Sequence, residues 1–247
     1  MTMTNIILPS ILLFSSLIFC QVNTEAMRTD NLSPGIHQKM DMSFSYIGSE
    51  NSEIIFLRGY YRINYQSQSD WSGHFITKYD RAFEKSEDDF TNKGFGQLRA
   101  VKKVFSRIQA ESFLQKEFNY FIDLENREII GGNVRFNPFK QFFIATGAMH
   151  EKEVYQSEEE QNFMKSTSYI NYSVQPMEKV TLENVLYFQF KLEAMNNYRI
   201  LWDGTLSFQG PDWLSFYLSC HYRYDISEIH QDGISYFEIT NGMGFRF

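Results

Sequence analysis

From Met42 to the end of the chain, apolar and polar residues alternate with period two in one segment after another, the pattern of strands with one apolar and one polar face. Met42, Phe44 and Tyr46 open the series. Ile55, Leu57, Gly59, Tyr61, Ile63 and Tyr65 then interleave with Phe56, Arg58, Tyr60, Arg62 and Asn64. Trp71, Gly73, Phe75, Thr77 and Tyr79 oppose Ser72, His74, Ile76, Lys78 and Asp80. Residues 94–105 carry Arg99, Lys102 and Lys103, yet Gly94 and Gly96 disfavour a helix and the segment reads as a strand. Residues 108–122 alternate through Gln109, Glu111, Gln115, Glu117 and Asn119, and 130–136 run to a turn at Asn137-Pro138. Residues 139–149 are apolar on both parities, so their faces stay unassigned. Residues 164–174, 182–192, 198–208, 214–224 and 234–247 complete the set.

This amounts to about 12 strands, an even number. Short connections at 66–70, 106–107, 137–138, 175–178 and 209–211 alternate with mostly longer, acidic ones at 84–90, 151–161 and 225–233. The expected fold is therefore an all-β, antiparallel, up-and-down barrel that spans a membrane, with both termini at the short-turn end. In a soluble β-sandwich or lipocalin-like barrel the apolar parity would instead point inward to a core.

Composition sharpens this picture. Aromatic residues make up 17% of the 247, with 24 Phe and 15 Tyr against 5 Pro and 14 Gly, a balance that suits strands and membrane girdles. A mean hydropathy of -0.37 excludes a polytopic helical membrane protein, whereas a barrel averages out polar because outward and inward residues alternate. The net charge of -7 leaves no basic surface for nucleic acid. The long apolar run is residues 6–20, of signal-peptide length. The expected division is an export signal over 1–26, a periplasmic lead-in over 27–39 and the barrel over 40–247. Cleavage could follow Cys20, leaving Gln21 first, or follow Ala26. Lipidation of Cys20 is disfavoured by Phe19, where a lipobox needs a small residue.

The last strand carries the localisation. Phe237, Ile239, Met243, Phe245 and Phe247 share one parity, broken by Asn241. A chain closing on such a strand with a terminal Phe resembles the bacterial outer-membrane barrels, whose assembly machinery reads that strand. Further stretches carry a resemblance to one family. They are residues 71–75 (WSGHF) with 79–83 (YDRAF), 110–115 (AESFLQ) with Phe118 and Asn119, 127–132 (REIIGG), 198–200 (YRI) and 223–225 (RYD). They are similar to the outer-membrane family of unknown function that includes the salt-induced outer membrane protein. The resemblance implies a single barrel in the outer membrane of a Gram-negative bacterium and supplies no catalytic residues. The expected surroundings are outer-membrane lipid and lipopolysaccharide, with the barrel-assembly machinery as partner and a monomeric state.

Candidate chemistry lies on the parity opposite the apolar one. Arg58, Arg62, Lys78, Arg99, Glu111, Glu117, Arg135, Arg199, Asp203, His221, Arg223 and Glu238 would line the lumen. One reading is a narrow polar channel whose arginines favour anionic small solutes, since charged side chains set pore selectivity. Alternatively, the same charges pair off and plug the barrel. An outer-membrane lipid hydrolase would need a Ser and His in contact, and the candidates are Ser219 with His221, or His74 and His150 with nearby serines. Ser219 and His221 stand about 7 Å apart along a strand, too far for direct hydrogen bonding. No enzyme is therefore expected. The five histidines are scattered and show no metal spacing, so neither metal nor cofactor is expected. The acidic stretch Glu158-Glu159-Glu160 reads as a solvated loop, with divalent-cation bridging of lipopolysaccharide as the alternative.

Overall fold

The computed structural model describes residues 24–25, 28, 32–48, 53–84, 89–120, 123–156, 160–211, 214–226 and 233–245. Within them twelve strands follow one another: β1 Gly35–Gly48, β2 Glu53–Gln66, β3 Trp71–Glu84, β4 Asp89–Phe105, β5 Ile108–Asn119, β6 Leu124–Phe139, β7 Phe142–Tyr155, β8 Gln161–Met177, β9 Val180–Lys191, β10 Ala194–Gln209, β11 Leu214–Asp225 and β12 Ile234–Phe245. They form one antiparallel sheet in strict chain order. Among the described residues β1 pairs with β2 and β12 with β11, so these two strands are the edges. Gly35 lies opposite Gln66, and Phe245 opposite Leu214. Both ends of the sheet therefore come out beside the connections 67–70, 106–107, 140–141, 178–179 and 210–213, here called the terminal end.

Several boundaries move. Pro138 does not end a strand: β6 runs through it to Phe139 over a register shift, the kind of position at which a strand tolerates a missing N–H donor. The turn falls at Lys140-Gln141, where Gln141 adopts φ 64°. Likewise β8 passes through Pro176, and β9 begins only at Val180. The charged stretch 151–161 is not all loop, because β7 continues to Tyr155 and buries Glu151 and Glu153. β1 starts at Gly35, ahead of residue 40. Leu192 and Glu193 form a two-residue turn at the far end, where most connections were expected to be longer.

The sheet curls so that strands distant in its order meet across its concave face. Tyr169 Oη of β8 donates to Glu111 Oε2 of β5 at 3.0 Å, and Arg99 of β4 hydrogen-bonds Tyr187 of β9. Glu183 of β9 lies within the field of Arg62 of β2, seven strands away in order. Burial follows the strand parity. On β5, Glu111, Phe113, Gln115, Glu117 and Asn119 are buried while Ser112, Leu114 and Lys116 are exposed. On the convex face Met42, Phe44, Leu98, Leu114, Ile130, Val134, Phe237 and Ile239 are all more than half exposed. This inverts a soluble barrel, whose apolar parity would be the buried one.

Aromatic residues cluster at both margins of this apolar belt. At the terminal end Phe142 packs between Phe139 and Tyr172 with centroids 6.3 and 6.0 Å away. At the far end Phe118 sits 6.4 Å from Tyr79 and 5.1 Å from Tyr120, and Tyr198 6.0 Å from Tyr224. Inside, Phe113, Ile129 and Met149 form one small apolar cluster, and Ala145, Tyr169, Val185, Tyr187 and Leu201 another. Ile76, Phe95, Val101, Leu124 and Phe143 are also buried on this face, among buried polar and charged side chains.

Candidate functional site

The concave face carries two ionic centres, one towards each end of the β4–β10 wall. Strand register builds the far one directly. Arg127 of β6 is paired with Glu117 of β5 on one side and Glu153 of β7 on the other. Its guanidinium bonds Glu117 Oε1 and reaches Glu153 Oε1 at 2.5 Å and Glu151 Oε1 at 3.3 Å. Lys165 Nζ of β8 closes on Glu151 Oε1 at 2.8 Å. Gln97 Nε2 donates to Gln115 Oε1, and Gln115 Nε2 to Glu117 Oε2. Arg127 and Glu151 have no exposed surface, so each charge depends on its partners for the solvation it lost.

The centre nearer the terminal end joins Arg99 of β4, Glu111 of β5, Arg135 of β6 and Asn171 of β8 with a segment that precedes the sheet. Glu25 Oε2 accepts from Arg99 Nη1 at 2.6 Å, and Glu25 Oε1 from Arg135 Nη2 at 2.9 Å and Asn171 Nδ2 at 3.3 Å. Thr24 Oγ1 accepts from Arg99 Nη2 at 3.1 Å. Arg28 Nη1 donates to Glu111 Oε1 at 2.5 Å. Both wall arginines also lie against aromatic faces: the Arg135 guanidinium is 3.6 Å from the Phe143 centroid and that of Arg99 5.6 Å from Phe113. Such stacking holds a planar guanidinium with its edge free for hydrogen bonding. Towards the terminal end a polar cavity of about 410 Å³ opens, lined in part by Arg28, Leu32, Asn64, His74, Gln109 and Asn137.

The other candidates whose side chains are described lie on the same face in smaller groups. Asp203 Oδ1 pairs with His221 Nδ1 at 2.5 Å and Arg223 Nη1 at 2.9 Å. Arg199 Nε meets Asp225 Oδ2 at 2.7 Å. Arg58 Nε and Lys78 Nζ converge on Asp80, at 2.8 and 3.1 Å, with the Arg58 side chain still 57% exposed. Arg62 acts on Glu183. Glu238 holds the register position opposite His221. On the outside Phe237 and Ile239 are exposed, Met243 and Phe245 are in register with Phe216 and Leu214, and Phe247 lies outside the described residues. Glu158 and Glu159 also lie outside them. Just before β8, hydrogen bonds from Lys152 and then Asn162 hold the Glu160 carboxyl below the usual carboxylate range.

The serine–histidine candidates are not brought together. Ser219 Oγ pairs with Thr205 Oγ1 at 2.9 Å while His221 is engaged by Asp203. His74 Nδ1 bonds Asn64 Oδ1 at 2.8 Å inside, and His150 is exposed. Sequence reading missed Arg127, Glu151, Glu153 and Lys165, though the parity of Met149 continues straight through Glu151 and Glu153. It also missed Thr24, Glu25 and Arg28, for which no local pattern exists.

No protein-family model and no curated protein matches the chain. Solved structures with a similar fold include the NanC porin, at 10% identity over 86% of this chain and 99% of that one, with a TM-score of 0.49. The KdgM porin in complex with disordered oligogalacturonate shows 13% identity over 86% and 96%, TM-score 0.45. A bacterial polysaccharide outer membrane secretin shows 8% identity over 85% and 80%, TM-score 0.46.

Proposed function

We propose that this chain is an outer-membrane β-barrel of a Gram-negative bacterium that forms a narrow polar channel for small solutes, anionic ones preferred. The observation that carries the reading is the inverted burial. An apolar belt bounded by aromatic residues faces outward, and paired charges and a polar cavity face inward. An outward apolar belt is stable against hydrocarbon and unfavourable against water. A spanning sheet must also satisfy its edges, so in the membrane β1 and β12 would close against each other as a seam. The resemblance of the short motifs to the salt-induced outer-membrane family fits the same location. The exposed Phe237 and Ile239 of β12 would serve the assembly machinery, and the rest of the belt would meet lipid and lipopolysaccharide around a monomer.

Anion preference would come from the side of the lumen where, among the described residues, two cations meet one carboxylate. Arg58 and Lys78 share the single carboxylate of Asp80, and both retain exposed surface. A plugged barrel without transport is the second reading, favoured by the dense ion pairing along the β4–β10 wall. Conductance of the refolded protein in a planar bilayer under a salt gradient separates the two. Discrete anion-selective steps that turn towards cation selectivity in a chain carrying Arg58→Gln and Lys78→Gln support the channel. Silence from a barrel shown to be folded by heat-modifiable migration overturns it.

A further inference from the structure

We propose that Arg99, Arg135 and Asn171 form a carboxylate-binding subsite on the lumen wall, that Glu25 occupies it as a tethered internal plug, and that a soluble carboxylate competes for the same place. The inference deepens the channel reading and rests on it only for what passes through the lumen.

The charges of segment and wall are complementary. Without the leading segment, this part of the wall presents two guanidiniums, Arg99 and Arg135, against the one carboxylate of Glu111. The segment presents an acid and a base in matching order: Glu25 docks on the two arginines and Arg28 docks on Glu111. The Arg28 N–H also donates to the Glu25 carbonyl at 3.2 Å, which sets the spacing between the two charged side chains. The side chain of Glu25 has no exposed surface and that of Arg28 only 4%.

The subsite is also preorganised. The two wall arginines are braced by Phe113 and Phe143, and Tyr169 holds Glu111, so the donors keep their geometry without Glu25. Donors converging from Arg99, Arg135 and Asn171 match the two oxygens of any carboxylate, since charge-assisted bonds from a planar fork are strong and directional. Access fits as well. Arg28 and Leu32 line the cavity that opens near the terminal end, so the segment enters from the side where a solute would also arrive. A tethered group competes at an effective concentration on the order of millimolar. Soluble carboxylates therefore displace it above that range.

The proposal places signal cleavage ahead of Thr24, as after Cys20, because cutting after Ala26 would remove Glu25. Intact-mass measurement of the protein extracted from outer membranes tests this first. A mature chain retaining Glu25 is expected, and one beginning at Met27 overturns the proposal. The second test is limited trypsin digestion of the folded, full-length mature barrel, which reads accessibility of the bond after Arg28 without requiring conductance. In the wild type that bond is expected to be resistant. Glu25→Gln should speed its cleavage at least tenfold and Asn171→Leu by a smaller factor, with heat-modifiable migration retained. Sodium D-glucuronate at roughly 50 mM, well above the effective concentration of the tether, should speed wild-type cleavage several-fold. Sodium chloride at equal ionic strength should not. Equal rates for wild type and Glu25→Gln overturn the plug, and equal effects of glucuronate and chloride overturn the carboxylate subsite. Cleavage as expected in a barrel that conducts nothing leaves this inference standing and removes the channel reading instead.

Discussion

The two ionic centres of the lumen are built from the same residue types and solved differently by the chain. The far centre is closed by register alone: Glu117, Arg127 and Glu153 are successive cross-strand partners on three adjacent strands. The centre nearer the terminal end draws its key carboxylate from outside the sheet, 74 residues before Arg99 and 146 before Asn171. The first is a strut that exists as soon as three strands pair. The second is a socket with an occupant. Identical chemistry thus serves rigidity in one place and exchange in the other, and the distinction lies in whether the partner belongs to the wall.

The largest effect should follow Arg127→Met. It strands Glu117, Glu151 and Glu153 around Lys165, and breaking such a buried network by removing one partner costs roughly 3–5 kcal/mol. The loss should appear as a lower urea midpoint for the folded barrel in lipid vesicles. Arg135→Met should cost less, about 1–2 kcal/mol in the same assay, because Arg99 and Asn171 still hold Glu25 and Arg28 still holds Glu111. Equal losses at the two positions would make both centres struts. The smallest effect belongs to Arg58→Ala on the open side of the lumen, at most about 1 kcal/mol. Its side chain is largely exposed and Lys78 keeps Asp80 paired. A larger loss there would mean that the open side is also structural.

Much of this architecture was legible in the chain because a period-2 pattern reports which face a residue takes. The assignment of Glu111, Glu117, Arg99 and Arg135 to one interior needed only parity. Parity does not report height, so nothing in the sequence said that Arg99 and Arg135 would share one carboxylate while Glu117 went to the other centre. Charge density misled at Glu151 and Glu153, which resemble a solvated loop until Arg127 is placed opposite them. Arg127 itself stood outside the expected strand over 130–136, since β6 begins six residues earlier, at Leu124. The leading segment was illegible for a different reason. Its polar, turn-containing composition matches a lead-in, and its contacts depend on a lumen that exists only after the sheet has curled.

The strict chain order of the sheet has a kinetic side. Among the described residues every ladder joins neighbours in sequence, so each of these strands can be added with little loop-closure entropy lost. The bonds of Glu25 are of another kind, because they need β4, β6 and β8 together. The plug therefore cannot seat on a partial sheet. A barrel under construction presents an empty arginine socket, and only a curled wall receives its own leading segment, which makes the seated carboxylate a built-in mark of how far assembly has gone.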